Sequence, residues 1–514
     1  MRRTLSFLAV AFISLNTFSQ TRETFVNNIV QEVNANSKLE SLAHELVDVI
    51  GPRLVGTPQI KQANDWVIKK YAALGIPAAN QQYGTWRSWQ RGITHIDMIA
   101  PRVKTLEGMQ LAWSPSTNGK TLTGQTIVIP ESVTDSASLV KWLPKARGKF
   151  VLISPEPATG IPFATWDEFG FKDNYKRISA IDSTRNAHAQ QRLLQTGRSA
   201  FFRMLDRSGA FGLLSMYWSR GYGVNKIFSA YTKNIPVVDI ALEDYGLLYR
   251  LTQSGNTPTI SLKADSKELG TAPVYNTIAT LKGSTKPEEY IVLSAHLDSW
   301  DGATGATDNG TGTILMMEVM RLLKKYYPNP KRTIIAGHWN SEEQGLNGSR
   351  AFVADHPEIV KNIQAVFNQD NGTGRISFIS GQGFKNASAY FNRWLEPVPD
   401  SIRSHIQTTF PGIPGGGGSD HAAFVAASAP AFMLGSNSWN YGTYTWHTNR
   451  DTYDKIVFDE VKKNVILVAI LAYMASEDPE RTPHAFETLP INERTGKPHV
   501  VPEVRAPERN GGFD

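Results

Sequence analysis

Apolar residues recur at helical spacing in the first part of the chain. From Thr24 to Ile50 they fall about every three to four residues, which predicts an amphipathic helix. The glycines and prolines of Gly51–Pro58 end this pattern. A second amphipathic pattern then runs to about Leu74. Two helices are therefore expected before the first strand.

The pattern changes near Gly108 to short apolar and β-branched runs separated by loops. Strands are predicted at residues 125–129, 148–154, 210–216, 235–240 and 258–262. Between the second and third runs, Pro155–Arg198 is polar, aromatic and irregular, and no element is predicted there. This change of pattern predicts that residues 110–265 are a β-rich inserted domain.

Beyond Asn276, predicted strands alternate with predicted helices. The strands are 290–295, 333–339, 363–367 and 431–434, and the helices are 312–327 and 348–356. Val465–Ala475 predicts a buried helix, since this apolar run is too short to cross a membrane. The alternation indicates an α/β fold with a mostly parallel central sheet and helices on both faces.

The two ends of the chain differ from the rest. Arg2 and Arg3 precede a mostly apolar stretch, and Thr17–Ser19 offers small residues for cleavage, so residues 1–20 are expected to be a signal peptide. We therefore expect a secreted or periplasmic protein with no membrane attachment after cleavage. The predicted divisions are 21–109 and 266–480 for the two parts of the main domain, with 481–514 as a polar tail.

Composition narrows the possible chemistry. The chain has no cysteine, so disulfides and thiolate metal ligands are excluded, and any metal must be held by histidines and carboxylates, which suit Zn²⁺. The formal net charge is +6, including Arg2 and Arg3. Because basic residues are interspersed with acidic ones, a nucleic-acid partner is not expected.

Several residues that suit a metal site follow the predicted strands of the 266–480 region. In an open α/β sheet, ligands collect at the carboxyl ends of the strands, so these side chains are expected to meet. Individually each has an ordinary structural explanation, and their common position is what points to a site. They are, in chain order, His296, Asp308, Glu342, Glu343, Asp370 and His447.

The residue types suggest a division of roles. Asp298 is two residues after His296 and could accept a hydrogen bond from its imidazole, which would orient the ring as a ligand. Asp308 could cap the following helix or bridge two cations with its two oxygens. Glu343 could coordinate a metal while Glu342 takes a proton from water, or both could be solvated loop residues.

Substrate contacts are harder to identify from the sequence. His421 follows the glycine run 415–418 and could touch substrate or be structural. Tyr441 or Tyr444 could stabilise a tetrahedral oxyanion. A substrate α-carboxylate would need a cation, for which the sequence offers Arg375 or Arg450.

At these residues the chain resembles the co-catalytic di-zinc exopeptidases, a family that includes bacterial leucyl aminopeptidases and carboxypeptidase Q. The resemblance rests on four motifs, and residues 110–265 correspond in it to a protease-associated domain. The motifs are His-Leu-Asp at 296–298, Asp-Asn-Gly at 308–310, Glu-Glu-Gln-Gly at 342–345 and His-Thr at 447–448.

The resemblance implies two Zn²⁺ ions bridged by Asp308. Glu343 and His447 would complete one zinc site, and His296 and Asp370 the other. Glu342 would be the general base, Asp298 would orient its neighbour, and the peptide bond after Asp308 would be cis.

The expected activity is hydrolysis of a peptide bond near a chain terminus by a metal-bridging hydroxide. An aminopeptidase or dipeptidase is expected first, and a carboxypeptidase is the alternative. Two further readings are a glutaminyl cyclase with one zinc ion and an inactive, receptor-like binding protein.

Overall fold

A computed structural model describes residues 22–512, and the expected signal peptide lies outside this range. The longer helices after an initial helix at residues 22–36 are Pro58–Ala73, Lys172–Thr196, Leu242–Gln253, Thr311–Tyr326, Asn347–Asp355, Ala387–Leu395 and Phe458–Glu477. The longer strands are Ala78–Ala100, Leu122–Val128, Thr259–Leu281, Lys286–His296, Arg332–Trp339, Ile363–Asn368 and Ala431–Ser436.

Parallel strands form the centre of the C-terminal half. Their order across the sheet is Ala431–Ser436, Ile363–Asn368, Lys286–His296 and Arg332–Trp339. All residues of the stretch 291–296 are buried, so both faces of the sheet are covered, as parallel sheets require. The predicted α/β fold with a mostly parallel sheet is confirmed.

Two long antiparallel strands connect this centre to a second group of strands. Ala78–Ala100 pairs with Thr259–Leu281, and the latter also pairs with Arg332–Trp339 at one end and with Leu122–Val128 at the other. We call the second group the middle layer. It consists of Leu122–Val128, Phe150–Leu152, Gly212–Ser215 and Val237–Ile240 in parallel, with Gly108–Gln110 antiparallel at its edge.

Several elements differ from the sequence-based expectations, and two regions stand out. The strand Ala78–Ala100 was not predicted, because polar and apolar residues are mixed along it and only part of it is buried. The stretch 155–198, for which no element was predicted, contains the helices Phe163–Phe169 and Lys172–Thr196. The second of these has 25 residues, of which only Arg192 and Thr196 are buried, so it carries no apolar stripe that periodicity would detect.

The predicted polar tail packs against the main domain. Asn510–Gly511 pairs in parallel with Thr85 and Trp86, and the Arg509 guanidinium lies 2.6 Å from the Asp355 carboxylate. Within residues 22–512, every helix is too short or too polar to span a lipid bilayer.

Candidate metal centre and its surroundings

The carboxyl ends of the parallel strands bring the predicted metal ligands together. His296 is the last residue of its strand, and Asp370 lies just beyond Ile363–Asn368. Glu342 and Glu343 follow the strand Arg332–Trp339. The other two ligands come from turns, since Asp308 precedes the helix Thr311–Tyr326 and His447 lies in the loop before Phe458–Glu477.

Asp308 lies between two histidines, with one oxygen facing each. Its Oδ1 is 3.4 Å from Nε2 of His296, and its Oδ2 is 3.4 Å from Nε2 of His447. His296 Nε2 also lies 3.0 Å from Oδ1 of Asp370, and His447 Nε2 lies 2.8 Å from Oε2 of Glu343. The five side chains therefore form two adjacent sets that share Asp308.

The donor atoms suit divalent cations. His296, Asp308 and Glu343 form one group of closely spaced potential ligand atoms, and His296, Glu342 and Asp370 form another. Oδ2 of Asp308 and Oε1 of Glu343 are buried and have no hydrogen-bond partner within residues 22–512. Buried carboxylate oxygens without a donor are costly unless a cation balances them, so the site fits zinc held by nitrogen and oxygen ligands.

Negative charge is concentrated in this buried site. Burial raises the pKa of Glu342 and of Glu343 well above the usual range, and it also raises the pKa of Asp370. For His296, burial lowers the pKa, but the carboxylates of Asp370 and Glu342 outweigh it, so the pKa is raised. Bound cations would relieve this repulsion and keep the carboxylates ionised.

Two aspartates hold the loops that carry the ligands. The Asp298 carboxylate accepts hydrogen bonds from the backbone amides of Glu342 and Glu343 at 3.3 and 3.4 Å. It is the backbone carbonyl of Asp298, rather than its carboxylate, that lies 2.9 Å from Nδ1 of His296. Asp451 accepts from the amides of Thr307 and Asp308 at 2.8 and 3.0 Å. The Asp308–Asn309 peptide bond is cis, as the resemblance implies.

Arg53 is a further positioning residue that the sequence did not reveal. Its side chain is fully buried and donates only to backbone carbonyls, those of Gly51, Leu297, Thr304 and Gly305, at 2.7–3.0 Å. The Gly51 carbonyl belongs to the turn before the helix Pro58–Ala73, and the other three belong to the loop between His296 and Asp308. A lone arginine in a turn rich in glycine and proline gives no signal for this role.

The segment 225–228, next to the middle layer, contacts the loop of His447 directly. The Ile227 amide donates to the His447 carbonyl at 2.8 Å, and the Asn449 amide donates to the Asn225 carbonyl at 3.0 Å. The Phe228 ring lies edge-on to the His447 ring, with a centroid separation of 5.3 Å. Trp446 stacks on the same histidine at 4.0 Å. One predicted metal ligand is therefore surrounded partly by residues from outside the C-terminal half.

Lys226 places a cation beside the metal centre. Its Nζ lies 4.1 Å from the centroid of the Trp446 ring, and no carboxylate within residues 22–512 lies within 4.0 Å of it. Burial lowers the pKa of Lys226 to about 8, while the charge of Asp308 acts to raise it, so the ammonium is protonated at neutral pH. The two arginines considered from the sequence are already paired, Arg375 with Glu460 at 2.8 Å and Arg450 with Glu107.

The three candidate substrate residues occupy different surroundings. The Tyr441 hydroxyl lies close enough to Asp308 to lower the pKa of that carboxyl. His421 is buried, and burial lowers the pKa of its imidazole to about 4. Nε2 of His421 faces Gly415, at the start of the glycine run. The Tyr444 ring lies against Gly221 instead.

Part of the chain matches a family model, and most of it aligns with named relatives. Residues 276–472 match the family model described as Peptidase family M28. Carboxypeptidase Q of Bos taurus is 25% identical over 471 residues, which cover 91% of this chain and 91% of that protein. Carboxypeptidase Q of Homo sapiens is 26% identical over 489 residues, covering 92% of this chain and 94% of that protein.

Solved structures agree on the fold. A peptidase M28 precursor from Shewanella amazonensis SB2B superposes with a TM-score of 0.66 at 24% identity, covering 90% of this chain and 98% of that one. BSAP, a zinc aminopeptidase from Bacillus subtilis, gives a TM-score of 0.55 at 20% identity, covering 88% and 98%.

Proposed function

We propose that the chain, whose residues 276–472 match the model of peptidase family M28, is a zinc metallo-exopeptidase that binds two zinc ions and acts as a dipeptidase. The observation that carries the proposal is the position of Asp308, which directs one oxygen to His296 and the other to His447. This arrangement suits two ions rather than one. Chain similarity to carboxypeptidase Q and the position of Lys226 favour a substrate with a free carboxylate.

Each zinc ion would take its ligands from one of the two sets. Asp308 would be shared, His296 and Asp370 would hold one ion, and Glu343 and His447 would hold the other. When bound, the ions would lower the pKa of an attacking water and polarise the scissile carbonyl.

Glu342 is the proposed general base. Its Oε2 lies 4.0 Å from Nε2 of His296, at the edge of the ligand cluster, and its carboxylate receives no ion pair from Lys or Arg within residues 22–512. Glu342 would take a proton from the water as the new C–O bond forms. It would then deliver this proton to the amine nitrogen as the C–N bond breaks.

Lys226 would bind the substrate α-carboxylate. One residue beyond the scissile bond spans about 3.5 Å, and a hydrogen bond adds about 3 Å. Lys226 Nζ lies 4.1 Å from the Trp446 ring centroid, and the Trp446 ring lies 4.0 Å from the His447 ring, so the ammonium is near the ligand cluster. A short peptide with a free carboxyl end would thus fit between them.

A comparison of dipeptides with their C-terminal amides tests this function. Wild-type protein with zinc should hydrolyse the free acids, and a chelator should abolish the reaction. Lys226→Met should lower the ratio of kcat/KM for acid over amide about 10- to 100-fold, the range for a charged hydrogen bond. Lys145→Met is the matched control, since Lys145 is exposed and outside this region. Equal hydrolysis of acid and amide by wild type would refute the dipeptidase assignment.

The two adjacent glutamates provide a second test. Glu342→Gln should reduce kcat about 10²- to 10⁴-fold while two zinc ions remain bound. Glu343→Gln should instead lower the zinc content. One ion per wild-type chain would favour a glutaminyl cyclase, and zinc-loaded protein that cleaves no peptide would favour a binding protein.

We propose that the enzyme is exported. The expected signal peptide at residues 1–20 supports this location. The middle layer and its connections support the proposal that residues 110–265 are an inserted, protease-associated domain.

A further inference from the structure

A large cavity lies beside the segment 225–228, outside the metal centre. Its volume is about 620 Å³, within the range of small-molecule sites. Residues that directly follow two strands of the middle layer, Ile153 and Met216, line one side, and the helix Lys172–Thr196 lines the other with both large and small side chains, among them Tyr175 and Ala189. Lys226 and Phe228 line the same cavity.

Aromatic side chains are among the residues that line the cavity. They form three contacting pairs, with centroid separations of 4.6, 5.3 and 5.5 Å: Phe163 with Tyr175, Phe201 with Phe202, and Tyr217 with Phe228. Phe228 also contacts the His447 ring at 5.3 Å. The cavity therefore begins at Phe228, which contacts the predicted ligand His447, and extends away from His447 between aromatic side chains.

Part of the charge in the cavity is already paired. The Glu156 carboxylate lies 2.8 Å from the guanidinium of Arg250, and Asp182 accepts from the Ala158 amide at 2.6 Å. Arg192 donates to the Val133 carbonyl at 2.6 Å. A ligand would therefore contact the aromatic faces together with three cations that have no carboxylate partner within residues 22–512, namely Lys226 and the exposed Arg198 and Arg220.

We infer that this cavity is a specificity pocket for an aromatic side chain on the residue that follows the scissile bond. The inference rests on the proposed function, because Lys226 would hold the carboxylate of that residue while Phe228 separates its side chain from the metal ligands. An aromatic ring would gain both apolar burial and edge-to-face contacts there. A glycine at the same position would gain neither.

A pair of substitutions on one helix tests the pocket. Ala189→Trp places an indole in the cavity, whereas Ala187→Trp places one on the exposed side of the same helix, outside the lining. Wild type should prefer Ala-Phe over Ala-Gly by about 10- to 100-fold in kcat/KM. Ala189→Trp should reduce this preference at least about tenfold, and Ala187→Trp should preserve it.

Calorimetry of the metal-free protein separates the pocket from the hydrolytic function. Free L-phenylalanine should bind wild type and Ala187→Trp more tightly than glycine does, and should bind Ala189→Trp at least about tenfold more weakly. If phenylalanine binds in this way but no peptide is cleaved, the dipeptidase assignment fails and the pocket stands. If phenylalanine and glycine bind alike, or if Ala189→Trp matches Ala187→Trp in both assays, the pocket is refuted. Circular dichroism should show all three proteins folded.

Discussion

Replacement of Arg53 is the sharpest test of how this site is held together. The guanidinium donates four hydrogen bonds to backbone carbonyls. Two of the accepting carbonyls, those of Thr304 and Gly305, lie in the loop that leads to Asp308. Arg53→Met would leave all four carbonyls without this donor in a buried position. Arg53→Lys would keep the charge but lose the planar arrangement of donors that reaches several carbonyls at once.

The expected loss of stability can be estimated from these contacts. A hydrogen bond from a charged donor contributes about 1.5–3 kcal/mol, and the desolvation of a buried guanidinium offsets several kcal/mol of the total. We therefore expect Arg53→Met to lower the free energy of unfolding by about 3–5 kcal/mol, and Arg53→Lys by about half as much. Hydrolysis should fall in both variants, because the Asp308 loop loses its anchor.

Urea denaturation and dipeptide hydrolysis would measure these effects. Arg102→Met is the matched control, since Arg102 is exposed, and it should change stability by less than about 0.5 kcal/mol. The reasoning would be contradicted if Arg53→Lys were as stable as the wild type. It would also be contradicted if Arg53→Met lowered the free energy of unfolding by less than about 1 kcal/mol.

Three further predictions concern other parts of the molecule. Asp451→Asn should lower zinc affinity and hydrolysis about 10- to 100-fold, measured by metal titration and kcat/KM, because it weakens the acceptor for two loop amides. Burial lowers the pKa of His338 to about 3, from 6.5 in the unfolded chain. Between these two pH values the imidazole binds a proton in the unfolded chain but not in the folded one, so the free energy of unfolding should fall as the pH falls from 6.5 to about 3. In urea titrations at several pH values, His338→Phe should reduce the slope of the unfolding free energy against pH by up to about 1.4 kcal/mol per pH unit. An unchanged slope would contradict this. Gly511→Val should displace the last strand, since a Cβ there would lie 2.1 Å from the Trp86 ring, and proteolysis of the tail should become faster than in wild type.

The sequence predicts the central strands of the C-terminal half well because the stretches of Lys286–His296, Arg332–Trp339 and Ile363–Asn368 that lead to the site are buried. Runs such as Ile291–Ala295 are apolar on both faces and are bounded by loops, which makes them recognisable without the fold. The proposed metal ligands follow from the same pattern, since parallel strands place their carboxyl ends at one edge. Their order and position therefore predicted the grouping that the structure shows.

Elements stabilised by distant partners were not predictable in this way. The strand Ala78–Ala100 is half-exposed and polar, and its place depends on pairing with residues about 180 positions later in the chain. The helix Lys172–Thr196 is exposed on most of its surface, so no apolar period marks it. The contact between segment 225–228 and His447 joins residues far apart in sequence, and no local pattern announces it.

The long antiparallel pair has a mechanical consequence. Its register runs from Ala78 opposite Ala279 to Ala100 opposite Thr259, with four irregularities on the way and without a flexible linker between the two groups of strands. The two groups are thus tied together along the length of a paired ribbon and not at a single hinge. We therefore expect their separation to change little during turnover.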